Sequence, residues 1–225
     1  MEAGRTQGPP RFRWVDVGDD CEKGLNMIME SLRVEPDSEA EWLGPLPIHT
    51  YFEQPEHRFE VDLGCGKGRF LLAHATKNSS TNYLGIDRML RRIRKVDNRA
   101  RRMNLGNIRL LRVEAYYAVA HLLPPASVNA YYIFFPDPWP KARHEGHRLF
   151  NAPFLDALYR TLASGGVVHV ATDHGPYFEQ LSEVFAGDSR FLPIDPFLPP
   201  EDEQTDFEMF YIGQKPIGRL SVCKG

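Results

Sequence analysis

The sequence predicts an α/β fold with a mostly parallel sheet and helices on both of its faces. From residue 58 onward, short apolar segments of strand length alternate with segments of helical periodicity, which is the pattern of repeated βαβ units. A glycine-rich segment, Gly64-Cys-Gly-Lys-Gly68, stands between the first apolar segment and the first helical one. Sheets of this class place a ligand-binding turn at that position. With 225 residues, 42% of them hydrophobic, the chain is long enough for one such domain.

The individual elements follow from local composition and periodicity. Strands are expected where β-branched and aromatic residues concentrate, at residues 59–63, 82–87, 108–113, 128–135 and 166–172. Helices are expected between them, at residues 69–77, 88–103, 115–123, 154–163 and 177–185. Residues 190–223 are expected to be β-rich around a polar loop at 199–206. Residues 1–57 are rich in proline, with one possible helix near 20–33, so we predict an N-terminal extension over 1–57 and the folded domain over 58–225.

Composition disfavours several classes of protein and several kinds of site. The cysteines Cys21, Cys65 and Cys223 are far apart and form no Cys-x-x-Cys pair, so the sequence favours neither a disulfide framework nor a metal site. The first residues lack the apolar core of a signal peptide, and no apolar run approaches the length of a membrane span. We therefore expect a cytoplasmic protein without metal and without membrane contact. The formal net charge of -3 hides a local excess of basic residues between positions 88 and 102.

Four predicted strands carry an acidic residue at or near their carboxyl ends: Asp62, Asp87, Glu114 and Asp137. Because the carboxyl ends of parallel strands meet at one edge of a sheet, these side chains are expected to surround one ligand. Gly64, Gly66 and Gly68 would let the backbone approach that ligand closely. So many carboxylates would repel the pyrophosphate of a dinucleotide, and Arg69 replaces the third glycine of the dinucleotide fingerprint. A cationic ligand rich in hydrogen-bond donors, such as S-adenosylmethionine, suits them better.

The segment after the fourth predicted strand is the most informative one. Residues 134–144 read Phe-Phe-Pro-Asp-Pro-Trp-Pro-Lys-Ala-Arg-His, so an apolar strand runs directly into three prolines. Prolines fix the backbone and remove N–H donors, which makes a stiff loop that cannot extend the sheet. We interpret the charged side chains on this loop as a preorganised site; they are Asp137, Lys141, Arg143 and His144.

The helix predicted at residues 88–103 carries two parallel stripes. Its apolar stripe, which should face the core, consists of Met89, Ile93, Val96, Ala100 and Met103. Beside it runs a basic stripe, which consists of Arg88, Arg92, Lys95, Arg99 and Arg102. Almost no acidic residues are interleaved, so we expect the basic stripe to contact the phosphates of a nucleic acid rather than solvent alone.

Four segments of the chain resemble the tRNA (guanine-N7-)-methyltransferase family. The most specific is Pro136-Asp-Pro-Trp139 with the Lys-x-Arg-His that follows it, whereas the loop at residues 62–68 is common to methyltransferases in general. Ala171-Thr-Asp173 and Thr205-Asp-Phe-Glu208 match two further family patterns in the right order. The resemblance covers residues 59–210 and implies the Rossmann-like class I methyltransferase fold, with seven strands.

The resemblance also implies roles for individual residues. The residues expected to contact the cofactor, S-adenosylmethionine, are Asp62, Asp87, Glu114, Asp137 and the three glycines of the loop. The substrate would be a guanine in the variable loop of tRNA, and Asp137 would lie between the cofactor and that base. The residues expected to hold the guanine and its surroundings are Lys141, Arg143, His144, Asp173, Thr205, Asp206, Phe207 and Glu208. The chain departs from the family pattern at residues 145–147 and at Asp206, where the family is more basic.

Three alternatives stay open. An amino-methyltransferase acting on adenine or cytosine carries a related proline-aromatic segment after its fourth strand, although without the Lys-x-Arg-His sequel. A non-catalytic RNA-binding relative would keep the fold without binding the cofactor. A nicotinamide-dependent dehydrogenase is disfavoured by Arg69. No protein partner subunit is indicated, and a monomer or a homodimer is expected.

Overall fold

A computed structural model describes residues 45–138, 149–211 and 214–225, and these contain one seven-stranded sheet. The possible helix near residues 20–33 lies outside them. The strands are β1 (Arg58–Leu63), β2 (Thr81–Ile86), β3 (Ile108–Leu111), β4 (Val128–Phe134), β5 (Leu162–Thr172), β6 (Phe191–Ile194) and β7 (Gly218–Lys224). Strands β1 to β5 pair in parallel, whereas β7 runs antiparallel to both β5 and β6. The predicted sheet of seven mostly parallel strands is therefore confirmed.

The order of the strands creates a crevice beside β1. Across the sheet the order is β3-β2-β1-β4-β5-β7-β6. The chain therefore moves outward from β1 through β2 to β3, and then returns to the other side of β1 with β4. The segments that leave the carboxyl ends of β1 and β4 diverge at this point, which is where open α/β sheets bind ligands.

Helices cover both faces of the sheet, as predicted. The α-helices among the described residues are α1 (Arg69–Lys77), α2 (Leu90–Arg102), α3 (Ala115–Tyr117), α4 (Ala152–Thr161), α5 (Gly175–Ala186) and α6 (Asp206–Tyr211). A π-helical turn, Ala118–Leu122, continues α3, and two short 3-10 helices occupy Ile48–Tyr51 and Glu201–Glu203. Alternate strand residues face two apolar layers, one formed with α1 and α2 and the other with α4 and α5.

The described part of the predicted N-terminal extension packs against the second of these layers. Leu46, Ile48 and Phe52 are buried in the same core as α4 and α5. The N–H group of Leu46 donates a hydrogen bond to the carbonyl of Leu122 at 2.8 Å, and the Arg109 guanidinium lies 5.1 Å from the centre of the Phe52 ring. Leu46, Ile48 and Phe52 thus share one core with the strands and helices that follow them.

The ends of several elements differ from the prediction. β5 begins at Leu162 rather than at residue 166, and α4 ends correspondingly early, at Thr161. Ser164-Gly-Gly166 lies within an irregularity in the pairing of β5 with β4. The expected polar loop at residues 199–206 leads into a helix, α6, because Thr205 and Glu208 exchange hydrogen bonds across its first turn at 2.7 and 3.1 Å.

The apolar stripe of α2 is shorter than predicted. Ile93, Val96 and Ala100 are buried against α1 and the sheet, as expected. Met89 and Met103, however, are each 44% exposed, so their assignment to the core was wrong. They are the N-cap and the C-cap of α2 and so flank the helix at its two ends.

Gly68, the last glycine of the loop, is a position where the fold requires glycine. Its φ is +74°, and a Cβ built on it would lie 2.7 Å from both methyl groups of Val96 on α2. We expect Gly68→Ala to lower the free energy of unfolding by about 2–3 kcal/mol, because the left-handed backbone and the overpacking both cost energy. The control is Gly106→Ala, since no heavy atom lies within 4 Å of that Cβ position. Urea unfolding would contradict this prediction if the two variants were equally stable.

Candidate active site

A cavity of about 420 Å³ lies at the carboxyl ends of β1, β2 and β4, in the crevice between the diverging segments. Its size is that of a typical small-molecule site. The wall is apolar where the strands end, at Leu63, Ile86, Val113 and Ile133. Its charged residues are Asp87, Arg88, Arg92, Glu114 and Asp137. Three of the four acidic residues singled out in the sequence therefore meet in one cavity, together with Gly64.

Asp87 connects the glycine loop to α2 from within this cavity. Its side chain is buried, and one carboxylate oxygen accepts a hydrogen bond from the N–H group of Met89 at 2.7 Å. The other oxygen accepts from the N–H group of Gly66 at 3.2 Å and lies 3.2 Å from Nη1 of Arg92. Asp87 thus fixes the start of α2 and the glycine loop relative to each other, while it lines the cavity.

Asp62 lies in β1, behind the glycine loop, and is not among the residues that line the cavity. It is buried, and burial followed by the nearby negative charge of Asp87 raises the pKa of its carboxyl to about 8. At neutral pH this carboxyl therefore holds a proton. A cationic group placed nearby would reverse that balance and favour the ionised form.

Glu114 reaches the cavity from the start of α3. Its carboxylate oxygens accept hydrogen bonds from the N–H groups of Tyr116 and Tyr117, at 2.9 and 2.8 Å. The side chain therefore caps a short helix. Because each carboxylate oxygen can accept more than one hydrogen bond, this exposed residue can still accept from a ligand in the cavity.

Asp137 stands at the mouth of the cavity, after the carboxyl end of β4. Its side chain is 72% exposed and lies 4.0 Å from the guanidinium of Arg88. Phe135 precedes it with a φ of +54°, a left-handed conformation that bulky residues rarely adopt. The predicted site residues Lys141, Arg143 and His144 lie outside the described residues.

A second group of predicted site residues surrounds α6. Thr205 and Glu208 form a capping box at its start, and buried Glu208 also pairs with Arg219 of β7. Asp173, which follows β5, pairs with Lys215 at 3.0 Å, while Asp206 is exposed. Phe207 links this group to the cavity, because its ring stacks on that of Phe135, which lines the cavity, with ring centres 4.6 Å apart.

The basic stripe follows α2 away from the cavity. Lys95 and Arg102 are exposed, and so is Arg88 at the cavity end. Three members have contacts within the protein: Arg88 lies near Asp137, Arg92 pairs with Asp87, and Nη1 of Arg99 donates to the carbonyl of Lys67 at 3.1 Å. Since α2 has 13 residues, the stripe extends over about 20 Å.

Sequence reasoning missed a polar network around His74. Its Nδ1 lies 2.6 Å from a carboxylate oxygen of Glu203, and its Nε2 lies 3.1 Å from the hydroxyl of Tyr132. That hydroxyl donates to Glu60 at 2.9 Å. The network joins α1 to the 3-10 helix just before α6, and so helps to hold α6 in place. The one available signal was Glu60, a charged residue within an otherwise apolar strand.

Comparison with known proteins identifies the family. The family described as "Putative methyltransferase" matches residues 56–207. The tRNA (guanine-N(7)-)-methyltransferase of Yersinia pestis (strain Pestoides F) is 34% identical over 170 residues, which cover 73% of this chain and 71% of the relative. This chain belongs to the tRNA (guanine-N7-)-methyltransferase family. The fold and the class of enzyme expected from the sequence are thereby confirmed.

Further relatives of the enzyme differ in how much they share with it. The tRNA (guanine-N(7)-)-methyltransferase of Mycobacterium avium (strain 104) is 37% identical over 139 residues, or 62% of this chain. The enzyme spans only 54% of that relative's length. Among solved structures, the 16S rRNA methyltransferase KamB has the same fold, with a TM-score of 0.57 and 18% identity over 75% of this chain and 88% of that one.

The family implies S-adenosylmethionine as the cofactor, and the residues present fit it. S-adenosylmethionine is cationic and carries an ammonium group, ribose hydroxyls and an adenine amine, all of which can donate hydrogen bonds. The cavity offers the carboxylates of Asp87, Glu114 and Asp137, with Asp62 behind it and apolar strand ends for the adenine ring. Across the described residues, no helix is long and apolar enough to cross a membrane, and no group of three or more His, Cys, Asp or Glu could hold a metal ion.

Proposed function

We propose that the enzyme transfers a methyl group from S-adenosylmethionine to N7 of a guanine in the variable loop of tRNA. The observation that carries this proposal is the cavity in which Asp87, Glu114 and Asp137 meet at the crevice beside β1. The names of the relatives from Yersinia pestis and Mycobacterium avium support the choice of base and of RNA. The free thiols of Cys65 and Cys223 suit a reducing compartment, which supports the predicted cytoplasmic location.

Each carboxylate is assigned to a different part of the cofactor. We assign the ammonium group to Asp62, the ribose hydroxyls to Asp87 and the adenine amine to Glu114. The backbone of Gly64, Gly66 and Gly68 would lie against the amino acid part of the cofactor, because glycines permit close approach there. S-adenosylmethionine supplies a methyl group bound to a cationic sulfur. The protein has only to place the acceptor atom in line with that bond and to exclude water.

Asp137 is the residue that we assign to the target guanine. Guanine N7 has a free lone pair, so the transfer needs no general base. Positive charge moves onto the base as the methyl group arrives, and the Asp137 carboxylate at the cavity mouth would stabilise it. The same carboxylate can accept hydrogen bonds from the N1–H and N2–H groups of guanine. Adenine has no N1–H group, so this contact would also select the base.

The remaining predicted residues would hold the RNA around the target. We assign phosphate contacts to the basic stripe and contacts near the guanine to Asp173 and α6. Lys141, Arg143 and His144, which the family resemblance points to, complete the proposed substrate site. The exposed positions of Lys95 and Arg102 support the role of the stripe, because phosphate contacts require accessible cations.

Lys95→Gln is expected to weaken tRNA binding and to reduce its salt dependence. Loss of one phosphate contact should lower the slope of log K against log salt concentration by about 1. Lys95→Arg is the matched control, because it keeps the positive charge at the same exposed position of α2. Filter binding at salt concentrations between about 50 and 300 mM would measure the slopes. Equal slopes for the two variants would mean that Lys95 makes no phosphate contact with the RNA.

The proposed reaction is tested by product analysis. The purified enzyme is incubated with methyl-labelled S-adenosylmethionine and tRNA from cells that lack N7-methylguanine. We expect labelled N7-methylguanine at one position of the variable loop. Label on an exocyclic amine of adenine or cytosine would instead support the amino-methyltransferase alternative. Cofactor binding without transfer to any tRNA would contradict the proposed substrate.

A further inference from the structure

An aromatic row leads outward from the mouth of the cavity along α6. It consists of Phe135, Phe207, Tyr211 and Phe210. Phe135 lines the cavity and stacks on Phe207, and Phe207 in turn lies 4.7 Å from Tyr211 between ring centres. Tyr211 lies 4.8 Å from Phe210, at the outer end of the row. Aromatic side chains thus form a continuous path from the cavity to the surface.

The outer part of this aromatic row is open to solvent. Phe207 is 37% exposed and Phe210 is 71% exposed, which is unusual for phenylalanine at consecutive turns of one short helix. The capping box and the ion pair of Glu208 with Arg219 hold α6 in place. The exposed rings are therefore carried by a fixed helix rather than by a loose chain end.

The charge around the cavity indicates what the aromatic row binds. Arg88 and Arg92 line the same cavity at the start of the basic stripe, so cations and exposed rings flank one opening. Single-stranded nucleic acids are bound by this combination: cations follow the backbone, and bases stack on aromatic rings. An apolar protein surface could cover the exposed rings, but it would leave the row of cations without a counter-charge. The chemistry on both sides of the opening therefore favours RNA.

We propose that Phe210 and Phe207 stack against an unpaired base of the tRNA next to the target guanine. The inference rests on the proposed function, and extends it by a second binding site for a neighbouring nucleotide. A guanine must leave its stack to enter the cavity, and this exposes the adjacent base as well. The aromatic row receives that base and so keeps the strand open while the guanine is methylated.

Substitutions at Phe210 test the stacking contact, with tRNA affinity as the readout. Phe210→Ala and Phe210→Leu should each weaken tRNA binding about tenfold, whereas Phe210→Trp should bind within about twofold of the wild type. Cofactor affinity should not change in any of them. Leu198→Ala is the control, because Leu198 is a large apolar side chain with nearly the same exposure, 70%. Wild-type affinity in Phe210→Leu would overturn the proposal, since a merely apolar contact would be enough.

A set of tRNAs, each with one abasic nucleotide beside the target guanine, identifies the base. One of them should bind the wild type about tenfold more weakly and should show no further loss with Phe210→Ala. Independent, additive losses at every position would overturn the proposal, and so would a change of oligomeric state in Phe210→Ala. If the wild type methylates tRNA but Phe210→Ala binds it normally, only this inference fails. If the wild type does not bind tRNA at all, the proposed function fails first.

Discussion

Asp137→Ala is expected to methylate tRNA at least about 100-fold more slowly than the wild type, which is the effect of removing one preorganised charged group from a transition state. Cofactor affinity should fall far less than the rate, because Asp137 only lines the cofactor cavity, whereas the ammonium group and the ribose are assigned to Asp62 and Asp87. Single-turnover rates with saturating tRNA, together with calorimetric titration of the cofactor, would separate the two effects. Asp137→Asn distinguishes the two proposed roles of the carboxylate. Asparagine retains one acceptor oxygen but loses the charge. A rate close to that of the wild type would therefore mean that the carboxylate orients the guanine and does not stabilise its charge.

The control for Asp137 is Asp156→Ala. Asp156 is another exposed aspartate, with 66% of its side chain accessible, and it also pairs with an arginine, Arg190, at 2.6 Å. It belongs to α4, outside the residues that line the cavity. We expect this variant to methylate tRNA at the wild-type rate. Equal loss of activity in the Asp137 and Asp156 variants would mean that charge at the surface in general, and not the Asp137 carboxylate, supports the reaction.

Asp62→Asn is expected to lose cofactor affinity and yet to gain stability. The pKa of this carboxyl is raised to about 8 in the folded enzyme by burial and by Asp87, from an ordinary value of 3.8. Between these pH values the folded state binds a proton that the unfolded state has released, so the contribution of Asp62 to stability falls as the pH rises. Asparagine does not titrate. The stability of Asp62→Asn relative to the wild type should therefore increase from pH 4 to pH 8, by up to about 1.4 kcal/mol per pH unit, and level off above.

Cofactor binding should remove the proton from the same carboxyl group, that of Asp62. The proposed contact with the cofactor ammonium requires ionised Asp62, so the wild type should release about one proton on binding at pH 7. Its affinity should rise with pH up to about 8. Calorimetry in two buffers of different ionisation enthalpy measures the released proton. Asp97→Asn is the control, because Asp97 is also buried with a raised pKa but lies on α2 outside the cavity lining. An unchanged pH dependence in Asp62→Asn would contradict the assignment.

The acidic residues of the cavity could be predicted from the sequence because a parallel sheet collects them. Asp87, Glu114 and Asp137 are separated by more than twenty residues from one another, yet each follows a strand of the same direction. Once the strands are identified, the rule that their carboxyl ends share one edge places the three side chains together. No knowledge of side-chain packing is needed for this step.

Contacts that depend on packing between distant segments could not be predicted in this way. His74 and Glu203 are 129 positions apart, and Phe135 meets Phe207 only because α6 folds back over the carboxyl end of β4. Neither pair has a periodic signal in the sequence. The capping box at Thr205 and Glu208 is different, since Thr-x-x-Glu is a local pattern for the start of a helix. This local signal for a helix is present in the sequence, although a polar loop was expected at residues 199–206.

The position of β7 sets the order in which a newly made chain can complete its sheet. Among the described strands, β7 lies between β5 and β6 and is the last of the three to be synthesised. Until residues 218–224 have left the ribosome, β5 presents an open edge, and β6 at the rim has no strand beside it. Open edges invite pairing with other chains. A nascent polypeptide halted before β7 would therefore already contain the whole cavity wall formed by β1, β2 and β4, and would still be prone to aggregate.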